Sequence, residues 1–280
     1  MKTFATVKEL QAELALARSQ NKTIGLVPTM GALHNGHLSL VKTAKQHCDI
    51  VVVSVFVNPI QFNNAHDLET YPRSVEKDCQ LLASAGCDFA FTPSVEEMYP
   101  QPINDKYSFG ELEMVMEGPR RPGHFSGVAV VVRCLFDIVQ PQKAFFGEKD
   151  FQQLAIIRNL VQQIKYNIEI VPCPIVRADD GLALSSRNAR LSAENRQQAP
   201  KIHATLTEAT KKMNSLSVNG VKRWVLDIFE NDNAYEPEYF EIVNDTTLQP
   251  IETWNDAKGI VGCIAVWMDD VRLIDIIRFK

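Results

Sequence analysis

Apolar positions along this chain fall into two regimes. Over the first two-thirds, short apolar runs alternate with segments whose apolar residues recur at helical spacing. The run at residues 24–28 precedes a helical pattern from about Gly36 to His47, and then comes IVVVSVFV, residues 50–57. A continuous β-branched run of this kind fits a strand buried on both faces of a parallel sheet. Residues 74–85 read as a helix closed by Gly86, residues 88–92 as a strand, and residues 125–139 as a strongly apolar helix. A strand at 144–146, a helix at about 151–165 and a strand at 168–176 complete the series. In that last helix Leu154, Ile157, Val161 and Ile164 lie three and four residues apart. Strands alternating with helices predict a doubly wound α/β domain, a parallel sheet with helices on both faces. Ligands in such sheets bind beyond the carboxyl ends of the strands, so the segments after residues 28, 57, 146 and 176 are the places to look for chemistry.

The C-terminal third follows a different pattern. Helical segments at 193–214 and 218–231 precede strand-like segments at 239–243, 259–268 and 271–277, with Asp269-Asp270 as a turn. Helices followed by strands predict a smaller α+β domain. The boundary is expected near 176, giving domains of residues 1–176 and 177–280.

Composition narrows the function classes. With 29 Lys plus Arg against 34 Asp plus Glu, the formal charge is −5, which argues against the broad basic face that nucleic-acid binding needs. A local basic pocket for a small anion remains compatible. The six cysteines include no C-x-x-C pair, so a cysteine zinc site has no support, and their apolar settings predict buried, reduced thiols. Glu9 and Glu13 interrupt the N-terminal segment where a signal peptide needs an apolar run. No uncharged apolar stretch reaches the ~18 residues of a membrane span. A soluble cytoplasmic protein that binds no membrane is the expectation.

The first chemical signal is PTMGALHNGH, residues 28–37. Gly31 and Gly36 are spaced as in a P-loop, but His37 and Leu38 stand where Lys and Ser/Thr are required, and no G-x-G-x-x-G holds a dinucleotide. His34 and His37 therefore sit three apart where a strand gives way to a helix. They read as metal ligands lacking an evident third partner, as ordinary helix-start residues, or as contacts to a phosphate. The phosphate reading uses the helix N-terminus, whose N–H groups and positive dipole end attract anions, and Gly36, which permits close backbone approach.

Four further motifs follow in order: VFVNPIQF with DLETYPRS, then EGPRRPGHFSGV, FGEKDFQQL and DGLALSSRN. Together with PTMGALHNGH they span roughly residues 28–188, and the set resembles the pantoate–β-alanine ligase (pantothenate synthetase) family within the H-x-G-H nucleotidyltransferase superfamily. The resemblance implies a Rossmann-like nucleotide-binding domain and an ATP-dependent, AMP-forming ligase. Such an enzyme adenylates pantoate and then passes the acyl group to β-alanine, with Mg2+ accompanying ATP. It also implies a homodimer formed by the first domain, with the IVVVSVFV segment near the interface; a hinge near 176 would let the second domain cover the site.

Residue by residue, the resemblance places Met30, Gly31, His34, Gly36 and His37 in the nucleotide loop, with His34 and His37 on the phosphates and His37 as the acid. Asn58 and Gln61 hold pantoate and β-alanine, beneath a mobile wall at residues 62–73. Gly147, Glu148, Lys149 and Asp150 surround the nucleotide, Lys149 as a catalytic cation, and Gln153 meets pantoate. Val176 offers its backbone to adenine, and Leu184, Ser185, Ser186 and Arg187 grip the triphosphate. Arg121 is placed near the substrate carboxylates.

The residues by themselves leave other readings open. Asn58-Pro59 is turn chemistry, Asp150 with Gln153 forms a variant capping box, and residues 117–128 suit a structural loop holding the apolar helix. Arg177, Arg187 and Arg190 crowd one region of an acidic chain and favour an anion site there. The sequence departs from the family pattern at Ala178, where a Glu is usual, and at Leu184, where a Met is usual. A simple nucleotidyltransferase and a nucleotide sensor are the rival functions, neither of which accounts for NPIQF together with FGEKDFQQ.

Overall fold

The alternation of apolar runs is built as a six-stranded, all-parallel sheet in a computed structural model that describes residues 1–63 and 65–280. Its strands are β1 (Lys2–Phe4), β2 (Ile24–Thr29), β3 (Ile50–Val55), β4 (Phe89–Phe91), β5 (Lys143–Gly147) and β6 (Glu169–Cys173), in the order β1-β4-β3-β2-β5-β6. β2 and β3 run in unbroken register from Ile24 opposite Ile50 to Thr29 opposite Val55. Val51, Val52 and Val53 of β3 are fully buried, as an apolar strand covered on both faces must be. The apolarity of IVVVSVFV is thus used within the chain's own sheet. From β2 the chain steps to β3 and β4 on one side, then returns to place β5 on the other. The switch point therefore lies between β2 and β5, where open α/β sheets bind their ligands.

Helix Asn35–His47 follows β2 and buries Leu38, Val41 and Ala44 on a shared face. Helix His124–Val139 is buried nearly all round, in keeping with its apolar sequence. All six cysteines are free; Cys48, Cys87, Cys173 and Cys263 are buried, Cys79 and Cys134 half-buried. Burial pushes the Cys87 thiol up to about 12. Among the described residues no helix is long and apolar enough to cross a membrane.

The C-terminal sheet is antiparallel, β7 (Glu236–Asn244), β8 (Ile260–Met268) and β9 (Val271–Arg278) in that order. Its alternation sorts side chains to two cores. Phe240, Ile242, Ile264 and Val266 pack with Leu206, Val225 and Phe229 of the covering helices. Tyr239, Val243, Cys263 and Ala265 face the other way, against Met116 and Phe151. The helix expected over 193–214 is two, Ala193–Gln198 and Lys201–Lys212, because Pro200 has no N–H to continue the ladder.

The chain divides into two compact units. One comprises Met1–Phe109, Arg121–Glu148 and Ile156–Pro174; the other comprises Gly110–Arg120, Lys149–Ala155 and Ile175–Lys280. Two segments that precede residue 176 thus belong with the C-terminal sheet, and side chains explain why. Glu117 is clamped by the Arg272 guanidinium through two 2.8 Å bonds and accepts from the Tyr239 hydroxyl at 2.6 Å. Gln152 accepts from the Glu117 N–H and donates to the carbonyls of Leu112 and Val115.

Candidate active site

The loop after β2 is held in an uncommon shape. Gly31 (φ +82°) and Ala32 (φ +50°) are both left-handed, which costs a non-glycine residue about 1–2 kcal/mol. Asp78, on helix Val75–Ser84 and only 2% exposed, offsets that cost. Its carboxylate accepts from the N–H groups of Ala32 at 3.0 Å and Leu33 at 2.8 Å, each charge-assisted bond contributing ~1.5–3 kcal/mol. A Cβ at position 31 would stand 2.8 Å from Asp78 Oδ2, so glycine is needed there for space as well as for φ. Nothing in the sequence around Asp78 separates it from an ordinary acidic residue in a first helical turn, and residue-level reading missed it. Asp78→Asn leaves one N–H without an anionic acceptor and is expected to lower stability by about 1–3 kcal/mol, measurable as a shifted denaturant midpoint at constant m-value.

The helix that follows is capped by two imidazoles. Gly36 N–H donates to His34 Nδ1 at 3.1 Å and His34 N–H donates to His37 Nδ1 at 3.4 Å, a reciprocal capping box with histidines in the usual Ser/Thr and Glu/Gln places. The ring centroids are 4.1 Å apart. A backbone N–H can only donate, so both Nδ1 atoms are acceptors and the proton of each neutral ring resides on Nε2. The helix-start and phosphate readings of this pair are therefore compatible: Nδ1 caps the helix and Nε2–H is a donor.

Asn58 and Gln61 follow β3. Asn58 is 0% exposed and its amide is fully engaged within the chain. Its Oδ1 accepts from Ile60 N–H and the Tyr99 hydroxyl, and its Nδ2 donates to Gly127 O and Gln61 Oε1. The turn Pro59–Gln61 is thereby fixed, and Gln61 Nε2 reaches Met30 Sδ at 3.1 Å. Behind it, His124 Nδ1 lies 2.9 Å from Gln61 O. A Cβ on Gly127 would come within 2.7 Å of Gln61 Cα. His124 and Gly127 thus form a backing for NPIQF, a role that the turn-like composition of their segment did not disclose. A cavity of 330 Å³ is lined by Met30, Gly31, Phe56, Arg73 and Asp78, among others. Of the expected wall at 62–73, residues 65–70 form a helix and Asn64 lies outside the described residues. Arg121 is half-buried at the point where the chain re-joins the first unit.

At the end of β5, among the described residues and apart from its chain neighbours, no atom lies within 4 Å of where a Cβ on Gly147 would project. Glu148–Asp150 forms a 3-10 turn into helix Phe151–Ile164. The reciprocal cap read at Asp150 and Gln153 is not made; among the described residues the Asp150 carboxylate meets only Lys149 Nζ, at 3.9 Å. The turn already supplies the helix start, and Gln153 is half-buried on the helix.

Within the second unit, residues 176–184 form a tight hairpin: Leu184 N–H donates to Val176 O and Ala178 N–H to Leu182 O. Ser185 Oγ accepts from Arg187 N–H and caps the turn Ser186–Arg190. Lys149 and Ser185 line the same small cavity, with Asn188 and Asp275. Two of the three arginines expected to favour an anion site here have carboxylate partners. Arg177 is engaged by Asp275 at 2.7 and 2.9 Å, and Arg190 by Asp270 at 2.7 Å. Strand β9 supplies the carboxylate to Arg177, so Ala178 leaves that guanidinium with a counter-ion.

A parallel sheet with a histidine-capped helix at its switch point, and a glutamine held on the loop after the neighbouring strand, defines a doubly wound α/β protein that carries an H-x-G-H motif at residues 34–37. The pantoate-beta-alanine ligase family model matches residues 2–278, and the chain belongs to that family. It is 56% identical over 281 aligned residues to a pantothenate synthetase of Phocaeicola vulgatus, covering 100% of both chains. The crystal structure of pantothenate synthetase from Thermus thermophilus matches with a TM-score of 0.93 at 42% identity, both chains covered in full. A pantoate-beta-alanine ligase from Francisella tularensis, solved with beta-gamma ATP and beta-alanine, matches with a TM-score of 0.82 at 35% identity over 100% of this chain and 98% of that one.

Proposed function

We propose that the protein condenses (R)-pantoate with β-alanine to pantothenate at the expense of ATP, through a pantoyl adenylate, releasing pyrophosphate and AMP. The observation that carries this reading is the imidazole pair at the start of helix Asn35–His47, each Nδ1 held by a backbone N–H. Two Nε2–H donors at a helix N-terminus suit a phosphate whose charge is redistributed during reaction.

In the first step a pantoate carboxylate oxygen attacks the α-phosphorus. The bond to the bridging oxygen of the β-phosphate breaks, and its electron pair leaves with pyrophosphate. In the second step the neutral amine of β-alanine attacks the acyl carbon, the C–O bond to phosphate breaks, AMP departs with that pair, and the amine releases a proton. Positioning and charge stabilisation are the protein's main tasks. His34 and His37 donate to phosphate oxygens, His37 also serving the departing pyrophosphate as acid, and Lys149, Ser185, Ser186 and Arg187 meet the triphosphate. Met30, Gly31, Gly36, Gly147, Glu148, Asp150, Val176 and Leu184 shape the nucleotide pocket. Gln61, Gln153 and Arg121 receive pantoate and β-alanine, and Asn58 serves by holding Gln61.

Mg2+ enters with ATP as part of the substrate. Among the described residues no three His, Cys, Asp or Glu side chains converge on one point, and Mg2+ held mainly by phosphates and water needs no such cage. When bound it neutralises phosphate charge. Residues 1–176 act as the ATP and pantoate domain, apart from residues 110–120 and 149–155, which fold with residues 177–280. The working form is a cytoplasmic homodimer, which light scattering would register as twice the chain mass.

The test is AMP formation from ATP. It is expected to require pantoate and β-alanine together, while pantoate alone supports pyrophosphate–ATP exchange. AMP transfer to a phosphate-bearing acceptor without β-alanine would point to a simple nucleotidyltransferase, and ATP binding without turnover to a sensor. Either result would overturn the reading.

A further inference from the structure

The buried charge pair in the second unit is not absorbed by the reaction just described. Asp275, on β9, is 3% exposed. Its carboxylate accepts from both terminal nitrogens of Arg177 and from the N–H of Ile276. Arg177 Nη1 donates in addition to Gly181 O at 3.1 Å. One guanidinium therefore ties strand β9 to both ends of the turn at residues 177–181. Gly181 is left-handed at φ +94°, and a Cβ there would meet the His203 ring at 3.1 Å, so the turn is seated on His203 as well. His203 Nδ1 lies 3.9 Å from Asp275 Oδ2. Burial, and then the Arg177 charge, lower the His203 pKa from its ordinary value, so at neutral pH the ring is uncharged and Arg177 is the counter-ion of Asp275.

The hairpin then passes its geometry on. The Leu184 N–H bond to Val176 O and the Asn188 Nδ2 bond to Ala183 O fix where residues 184–187 begin and how they turn. The second tie of this loop, Arg190 to Asp270, has a carboxylate that is 71% exposed, and exposed pairs hold little. Asp275 also borders the cavity lined by Lys149 and Ser185, where Arg177 neutralises its charge so that this carboxylate does not compete with an anion for the Lys149 ammonium.

We propose that Asp275 is a positioning residue: through Arg177 it sets residues 184–187 in the conformation that receives the triphosphate. This rests on the reading above that residues 184–187 meet the triphosphate. A buried ion pair is by itself weak evidence for stability, since an apolar pair of similar volume is often as stabilising. The geometry that only the pair can give is the double tie to β9 and to Gly181 O.

The experiment compares wild type, Asp275→Asn and the double variant Arg177→Met/Asp275→Leu, by direct ATP binding in titration calorimetry, by KM for ATP and for pantoate, and by thermal midpoint. Asp275→Asn is expected to weaken ATP binding about tenfold or more, the scale of one charge-assisted hydrogen bond, with KM for pantoate unchanged. The double variant leaves no uncompensated buried charge, so its thermal midpoint is expected to exceed that of Asp275→Asn while ATP binding stays weak. Recovery of ATP affinity together with stability in the double variant would show a structural role only and overturn the proposal. So would wild-type ATP affinity in Asp275→Asn. A wild type that binds ATP but forms no AMP with pantoate and β-alanine would sink the functional reading, while the ATP titrations would still decide the role of Asp275.

Discussion

Replacing His37 with alanine is expected to slow pantoate-dependent AMP formation by about 10²–10⁴-fold, the usual loss when a positioned proton donor is removed, while the protein stays folded. The fold survives because His37 provides one of two reciprocal caps; losing a cap costs ~1 kcal/mol, and Leu38, Val41 and Ala44 still anchor the helix. His37→Gln separates the two roles. Glutamine at this position accepts from the His34 N–H as in an ordinary capping box, so the thermal midpoint should return toward wild type, but it has no imidazole Nε2–H and the rate should not recover. Lys149→Ala is expected to lose rate on the same scale, through charge stabilisation rather than proton donation. Pyrophosphate–ATP exchange and a melting curve are the two measurements, and near-wild-type exchange in both alanine variants would remove these residues from the site.

The second large effect is expected at a residue that touches no substrate. Gly127→Ala would place a Cβ 2.7 Å from Gln61 Cα, 2.8 Å from Ile60 O and 2.9 Å from Gln61 N. All three are backbone atoms, so no flexible side chain can swing aside. Either helix His124–Val139 or the turn Pro59–Gln61 must move, and the Asn58 bond to Gly127 O moves with it. Overpacking of this kind costs about 1–3 kcal/mol, and a shift of about 1 Å in a group proposed to hold substrate is expected to cost about 10²-fold in rate. The expected outcome is a lowered melting temperature and a kcat/KM for pantoate reduced by that order. Gly123→Ala is the control: Gly123 is left-handed at φ +78°, yet among the described residues a Cβ there meets no atom within 4 Å beyond its own chain neighbours. It should cost ~1 kcal/mol of backbone strain and leave pantoate kinetics alone. Equal pantoate kinetics in the two variants would disprove the backing role of Gly127.

The two regimes of apolar spacing located the parallel sheet and the small antiparallel one, because burial on both faces or on one face leaves a periodic signature. β1 and helix Val7–Ser19 escaped. A three-residue strand carries too few positions for a period, whereas Leu10, Leu14 and Ala17 of the helix do share a buried face. Thr6 and Glu9 also stand there at capping-box spacing. Sequence position could not foresee that residues 110–120 and 149–155 would join the C-terminal sheet, since Glu117 meets Arg272 across 155 residues. In the site, motifs brought forward the side chains with distinctive chemistry, such as His34, His37 and Lys149. The supports were silent. Asp78, Tyr99, Gly127 and Asp275 act through distances that exist only after folding, and each has neighbours typical of a helix, turn or strand.

The histidine cap also bears on how the protein can be improved. His34→Ser and His37→Glu would give the start of helix Asn35–His47 the side chains that helix N-termini favour most, and screens for thermostability would be drawn toward such changes. The same two positions carry the donors on which the proposed chemistry depends. Robustness and turnover therefore compete for the same few atoms at this helix start, and gains in heat tolerance are better sought elsewhere in the chain.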